Sequence, residues 1–397
     1  MLGKNQSVFD KGALASTKPG KQLMRQRIFK SRGYRLFDRY KTEAAMGFGD
    51  FAARFTADLH GAIWSDPSAS STIQAFADEV GSAEMELPPS RVESVRERLR
   101  SPEALRIRVD RILDSNFVKM TFPVFNALYD GAAALRRSGN GGSSSSNSTV
   151  TATAEKKDGA GLRREVVEGH ILAIDLSEPM DRIVDKDEDL EFLDDYRLMN
   201  PYILGLARDR ISNAGEEVLV SFEEGFRDAR LGQDLDEKLK SRPSSITEDD
   251  MTLSYKKYRA VMGTAGRNMA LAERPLGDIF YLGMAKAAEG VGCGNEIEDS
   301  VRDRAVKVPS WPLYYSVLSG SARTGFEAAA RKGDLYLQDA RLAISLLPED
   351  FANTDLLEFL FVSMDHYNKY WYGQLQALDA WDELDASLPD GTGRRGT

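Results

Sequence analysis

Cysteine is nearly absent: Cys293 is the single one among 397 residues. One thiol excludes an intrachain disulfide framework and any Cys-rich metal site. Histidine is scarce as well, and His60, His170 and His366 lie too far apart in sequence for a local metal motif. No run approaches the roughly 20 apolar residues of a membrane-spanning helix, and the N-terminus lacks the apolar core of a secretory signal. These absences lead to the expectation of an intracellular, cytoplasmic protein without a membrane partner. Asn147-Ser148-Thr149 fits a glycosylation acceptor, but without secretion it reads as linker composition. Gly290-Val291-Gly292-Cys293-Gly294 supplies glycines without a phosphate-binding lysine or a preceding strand, so it reads as a flexible turn.

What is present suffices for a real core. The chain is 42% hydrophobic, with 18 Phe, 14 Tyr and 4 Trp, and its length allows two or three domains or one large fold with an insertion. The organising feature is the stretch from Ser138 to Gly161, SGNGGSSSSNSTVTATAEKKDGAG. It has too few large apolar side chains to recover by burial the entropy lost on ordering its backbone. It divides the chain into a disordered basic arm (1–21), an N-terminal helical region (22–137), this linker or exposed loop (138–161), a C-terminal helical region (162–388) and a disordered tail (389–397).

The expected fold class is mainly α-helical, a multi-helix protein with that Ser/Gly-rich loop and at most a minor β element. Ser90 with Glu93, Thr247 with Asp250, and Asp355 with Glu358 have the spacing of capping boxes. Ser101-Pro102 opens a helix with proline at its first position. Leu357, Phe361, Met364, Trp371, Leu375 and Leu378 form the longest helical stripe. Asn200-Pro201 reads as a break, and Val167 to Leu176 reads as the best strand.

The formal net charge of −10 hides an asymmetry. Residues 1–41 carry eleven Lys and Arg against Asp10 and Asp38, so a basic arm leads an acidic body. Such an arm can seek a polyanion. Lys18, Lys21, Arg25, Arg27, Lys30, Arg32 and Arg35 are the candidates for contact with nucleic acid or another polyanion. The competing account packs Leu23, Ile28, Leu36, Phe37 and Tyr40 into the core and leaves the cations solvated.

The acidic counterpart is Asp185 to Asp195, with seven carboxylates in eleven positions. Hard divalent cations take such oxygen ligands, which makes Asp185, Asp187, Asp189, Asp194 and Asp195 the metal candidates. The pattern is incomplete. Leu190 and Tyr196 stand where an EF-hand loop needs glycine and the closing acid, and Leu198 stands where a DDxxD box would end. Tyr314, Trp371, Tyr372 and Trp381 are the interface candidates, because aromatics anchor protein contacts. With no compact catalytic signature, these features point to a structural, self-assembling and non-enzymatic protein. It would be shell-forming or nucleic-acid-enclosing, homo-oligomeric and without a cofactor. The alternatives are a helical Mg²⁺ enzyme using the Asp/Glu cluster and a non-catalytic nucleic-acid or protein adaptor.

Overall fold

In the computed structural model, residues 31–113, 116–139, 159–175, 180, 183 and 190–389 are described, and every regular element among them is helical. The helices are α1 (Arg32–Ser65), α2 (Ala69–Val80), α3 (Pro89–Arg98), α4 (Pro102–Leu113) and α5 (Asn116–Gly139). They continue as α6 (Gly159–Asp175), α7 (Leu190–Ala214), α8 (Glu216–Lys240), α9 (Glu248–Ser254) and α10 (Lys256–Met269). The last five are α11 (Arg274–Asp303), α12 (Trp311–Ser319), α13 (Ala322–Ile344), α14 (Thr354–Leu378) and α15 (Trp381–Ala386). The basic arm before residue 31, the bulk of the Ser/Gly-rich stretch and the tail after residue 389 lie outside the described residues. The chain divides into two compact units, one of residues 37–130 and 140–220, the other of residues 1–36, 131–139 and 221–397.

In the first of these units α6 and α7 lie side by side, and α2 and α3 pack on α7. The segment expected to be a strand is the body of α6. Val166, Val167, His170, Ile171 and Ile174 are all buried, and their spacing is that of one helical face. Two polar residues simulate a β alternation there. Glu168 is buried because Arg54 and Arg210 pair with it, and His170 because its Nδ1 hydrogen-bonds the Val166 carbonyl at 2.8 Å. Helix α7 runs straight through Asn200-Pro201. A proline within a helix costs about 3 kcal/mol. Leu193, Tyr196, Leu198 and Met199 before it and Ile203, Leu204, Ala207 and Ile211 after it are all buried, and each of the leucine, isoleucine and methionine side chains contributes about 1.5–3 kcal/mol. Burial therefore outweighs the breaker.

The second unit is built around α11, against which α10, α13 and α14 pack. The five residues read as a turn lie inside this helix. Glycine is required there by proximity: a Cβ on Gly290 would meet Leu337 Cγ at 2.8 Å, and one on Gly294 would meet Asn368 Oδ1 at 2.0 Å. These positions let α13 and α14 approach the α11 backbone. Asn368 donates from Nδ2 to the Gly290 carbonyl at 2.9 Å. The Thr247 box is formed, with Asp250 N–H on Thr247 Oγ1 and Thr247 N–H on Asp250. Ser101 accepts from the Ala104 N–H. Two expected boxes are replaced. α3 opens at Pro89 behind Pro88, and α14 opens at Thr354 behind Asn353, neither with a side-chain cap bond.

Candidate active site

Asp185, Asp187 and Asp189 lie outside the described residues. Asp194 and Asp195 sit in the second turn of α7, both buried, and arginines hold them. Asp195 takes Arg98 on Oδ1 and Arg108 on Oδ2, while Asp194 takes Arg91 and Arg197. Both carboxylates are compensated in place by guanidinium groups, whose charge a cation would have to displace from a buried site. Among the described residues no group of three or more His, Cys, Asp or Glu side chains is placed to hold a metal. The residues present therefore do not fit a divalent cation at Asp194 and Asp195.

Lys18, Lys21, Arg25, Arg27 and Lys30 are outside the described residues. Arg32 forms an exposed ion pair with Asp355 at 3.1 Å, and Arg35 lies exposed on α1, where Phe37 and Tyr40 are buried. Trp371 and Trp381 belong to the buried apolar cluster of the second unit, with Tyr314 and Tyr372 half-buried against it. Among the described residues no helix is long and apolar enough to cross a membrane.

The group that sequence reading missed lies inside α11. Glu289, Cys293, Glu296 and Ser300 follow one another at four, three and four residues, so they share one face, and all four are buried. Helices α10 and α11 themselves supply the charges that balance Glu289. Arg259 Nε lies 2.8 Å from its Oε1, and Lys286 Nζ lies 2.8 Å from its Oε2. Glu296, 3% exposed, has no cationic partner of this kind. Its Oε2 accepts the Trp311 backbone N–H at 3.0 Å, at the start of α12, and its carboxyl is hydrogen-bonded by Tyr255. Tyr255 closes α9, and its Oη stands 3.6 Å from Cys293 Sγ.

Aromatic rings surround this polar seam. Trp311 meets Tyr255 edge-on at 5.8 Å, Tyr336 stacks on Tyr255 at 6.3 Å, and Tyr315 stacks on Trp311 at 5.5 Å. The Lys332 ammonium rests over the Trp311 ring at 4.6 Å. The Trp311 Nε1–H is buried and has no hydrogen-bond acceptor.

Burial dominates the electrostatics, because a charge removed from water must be compensated. It pushes Glu296 up to about 8, against the hydrogen bonds from Tyr255 and the Trp311 N–H, which favour the carboxylate. It pushes the Cys293 thiol well up, helped by the neighbouring Glu296. It raises the Tyr255 phenol as well, together with Cys293 and Glu296. Cys293 is thus a thiol and not a thiolate nucleophile. Glu296 is a carboxylic acid at neutral pH, with a proton it can give up near pH 8. An acid poised near the ambient pH is what proton transfer calls for.

No family model matches the chain, and no curated protein does. Among solved structures, the geranylgeranyl pyrophosphate synthetase of the archaeon Geoglobus acetivorans matches at 13% identity with a TM-score of 0.47, over 77% of this chain and 98% of that one. The expectation of a capsid-like, self-assembling structural protein is corrected at this point. The matched structure is an enzyme's, and the two tryptophans taken as assembly anchors, Trp371 and Trp381, are core residues. The non-enzymatic reading is withdrawn with it. So is the expectation that no cofactor is needed, which had no other basis.

Proposed function

We propose that the chain is a helical enzyme that performs acid–base chemistry at Glu296 on a substrate with a large apolar portion. One observation carries the reading: a buried carboxyl group set among aromatic rings, its pKa pushed up to about 8 by that burial. Buried acids with strongly shifted pKa values cluster at functional sites. Glu296 gives its proton to the substrate, and the carboxylate left behind keeps two donors, the Tyr255 hydroxyl and the Trp311 N–H. Positive charge developing on an apolar substrate meets the π-faces of Trp311, Tyr255 and Tyr336. Two of these rings, Trp311 and Tyr336, already hold the Lys332 ammonium.

The substitution Glu296→Gln tests this. Glutamine keeps an oxygen for the Trp311 N–H, so the start of α12 stays paired while the proton is lost. Difference infrared spectra should show a carboxylic-acid C=O band that titrates near pH 8 and is missing in E296Q. The compounds to assay are apolar ones with a site that accepts a proton. Turnover should fall by about 10²–10⁴ in E296Q with the melting temperature held. A Glu296 ionised at pH 7, or a fully active E296Q, would overturn the reading.

A further inference from the structure

Three helices bring basic side chains to one ring, Tyr336 of α13. Lys286 of α11 places its ammonium 4.7 Å from the ring centroid, and Lys332 of α13 places its own at 5.4 Å. Arg259 of α10 joins them through Glu289, whose two carboxylate oxygens it shares with Lys286. Glu289 is wholly buried and carries one negative charge against these bases. The other acid on the cluster is Glu248, 57% exposed, with its oxygen 3.4 Å from Lys332 Nζ. A contact that long to an exposed carboxylate is weak and readily exchanged. The basic side chains remain 22–30% exposed, so a solute can reach them. The ring on which Lys332 rests carries at its edge a buried donor with no acceptor, the Trp311 Nε1–H.

We infer that Arg259, Lys286 and Lys332 form a binding site for a phosphate-type anion, with Glu248 holding Lys332 until the anion displaces it. Guanidinium and ammonium groups around one acid leave donors and positive charge directed at an incoming oxyanion. The site adjoins the aromatic seam, and for a substrate processed at Glu296 the anion is its polar head. Only that last identification depends on the proposed function. The anion site itself is tested without it.

Titration with inorganic pyrophosphate, read by calorimetry and by tryptophan fluorescence, decides the matter. The intact chain should bind saturably, with a fluorescence change because Lys332 leaves the Trp311 face. K286Q and K332Q should each bind at least tenfold more weakly. E248Q, at an exposed position in the first turn of α9, should bind several-fold more tightly, because it releases Lys332. K369Q, which removes a lysine paired on the surface with Asp365, should bind like the intact chain. E296Q should bind pyrophosphate unchanged, so loss of turnover in that variant speaks only to the acid and not to this site. Absence of saturable binding, an equal loss in K369Q, or no gain in E248Q would overturn the inference.

Discussion

Asp195 accepts the Arg108 Nε–H at 2.7 Å on one carboxylate oxygen while its side chain is fully buried. Arg98 occupies the other oxygen at 2.9 Å. A carboxylate that sequence marks as a metal ligand is thus a junction between α3, α4 and α7. Removing one member of a buried ion pair typically costs about 3–5 kcal/mol, because the partner charges stay behind uncompensated. Asp195→Asn should destabilise the protein by about that amount in urea denaturation. Millimolar Mg²⁺ should leave the gap between intact chain and variant unchanged. A stabilisation by Mg²⁺ that vanishes in D195N would restore the aspartate as a ligand.

The buried Glu296 makes stability depend on pH with a definite sign. Its folded pKa of about 8 lies above the ordinary 4.5 because burial disfavours the charge. Between those two values the folded chain holds a proton that the unfolded chain has released, so stability falls as pH rises. The favourable contribution is complete below about 4.5 and gone above about 8. Chemical denaturation of E296Q and the intact chain across pH 4–9 should show two curves that diverge steadily over that window, with the variant the flatter. Parallel curves would show that Glu296 is ionised in the fold.

His170 has the opposite sign. Full burial in α6 holds its pKa down to about 4 from 6.5, against the hydrogen bond to the Val166 carbonyl, which favours the imidazolium. Below pH 6.5 the unfolded chain takes up a proton that the folded chain refuses until about pH 4. The stability present above pH 6.5 is therefore lost progressively on acidification, on the order of 3 kcal/mol in all. His170→Gln should remove that acid slope. Histidine ring resonances in NMR should show His170 neutral at pH 5.

The features legible in sequence were those with local causes. The Thr247–Asp250 reciprocal cap and the Ser101 cap are set by residues three apart, and the helices form where those spacings place them. The stripe of α14 is equally local, with Leu357, Phe361, Met364, Trp371 and Leu375 all buried. The misreadings share a nonlocal cause. Glu168 is inside only because Arg54 and Arg210, far away in sequence, neutralise it, so α6 looked like an alternating strand. The glycines of α11 looked like a turn because propensity disfavours glycine in helices, while their reason lies in α13 and α14. Splitting α11 there separated Glu289 from Cys293 and Glu296 and hid the face they share. The signal was present: buried-type small residues and acids at four, three and four. Continuing the helix through the glycines would have exposed it.

One substitution has opposite signs at two helical glycines. Gly205 lies inside α7 with nothing within 4 Å of where a Cβ would stand, and Gly294 lies inside α11 with Asn368 Oδ1 2.0 Å from that point. Propensity alone favours alanine over glycine by about 1 kcal/mol at either position. At Gly205 nothing opposes that gain, so Gly205→Ala should stabilise by up to about 1 kcal/mol. At Gly294 the methyl must push α14 away or break the Asn368 bond to the Gly290 carbonyl. Overpacking of this kind costs about 1–3 kcal/mol, so Gly294→Ala should destabilise on balance. The G294A change also moves the Glu296 backbone, two residues on, and should therefore perturb the carboxylic-acid band of Glu296. G205A, in the other unit, should leave that band untouched. Thermal denaturation of the two variants beside the intact chain, with the infrared band of Glu296 read on each, measures both effects. Equal shifts of the same sign would mean that α14 does not press on α11 at Gly294.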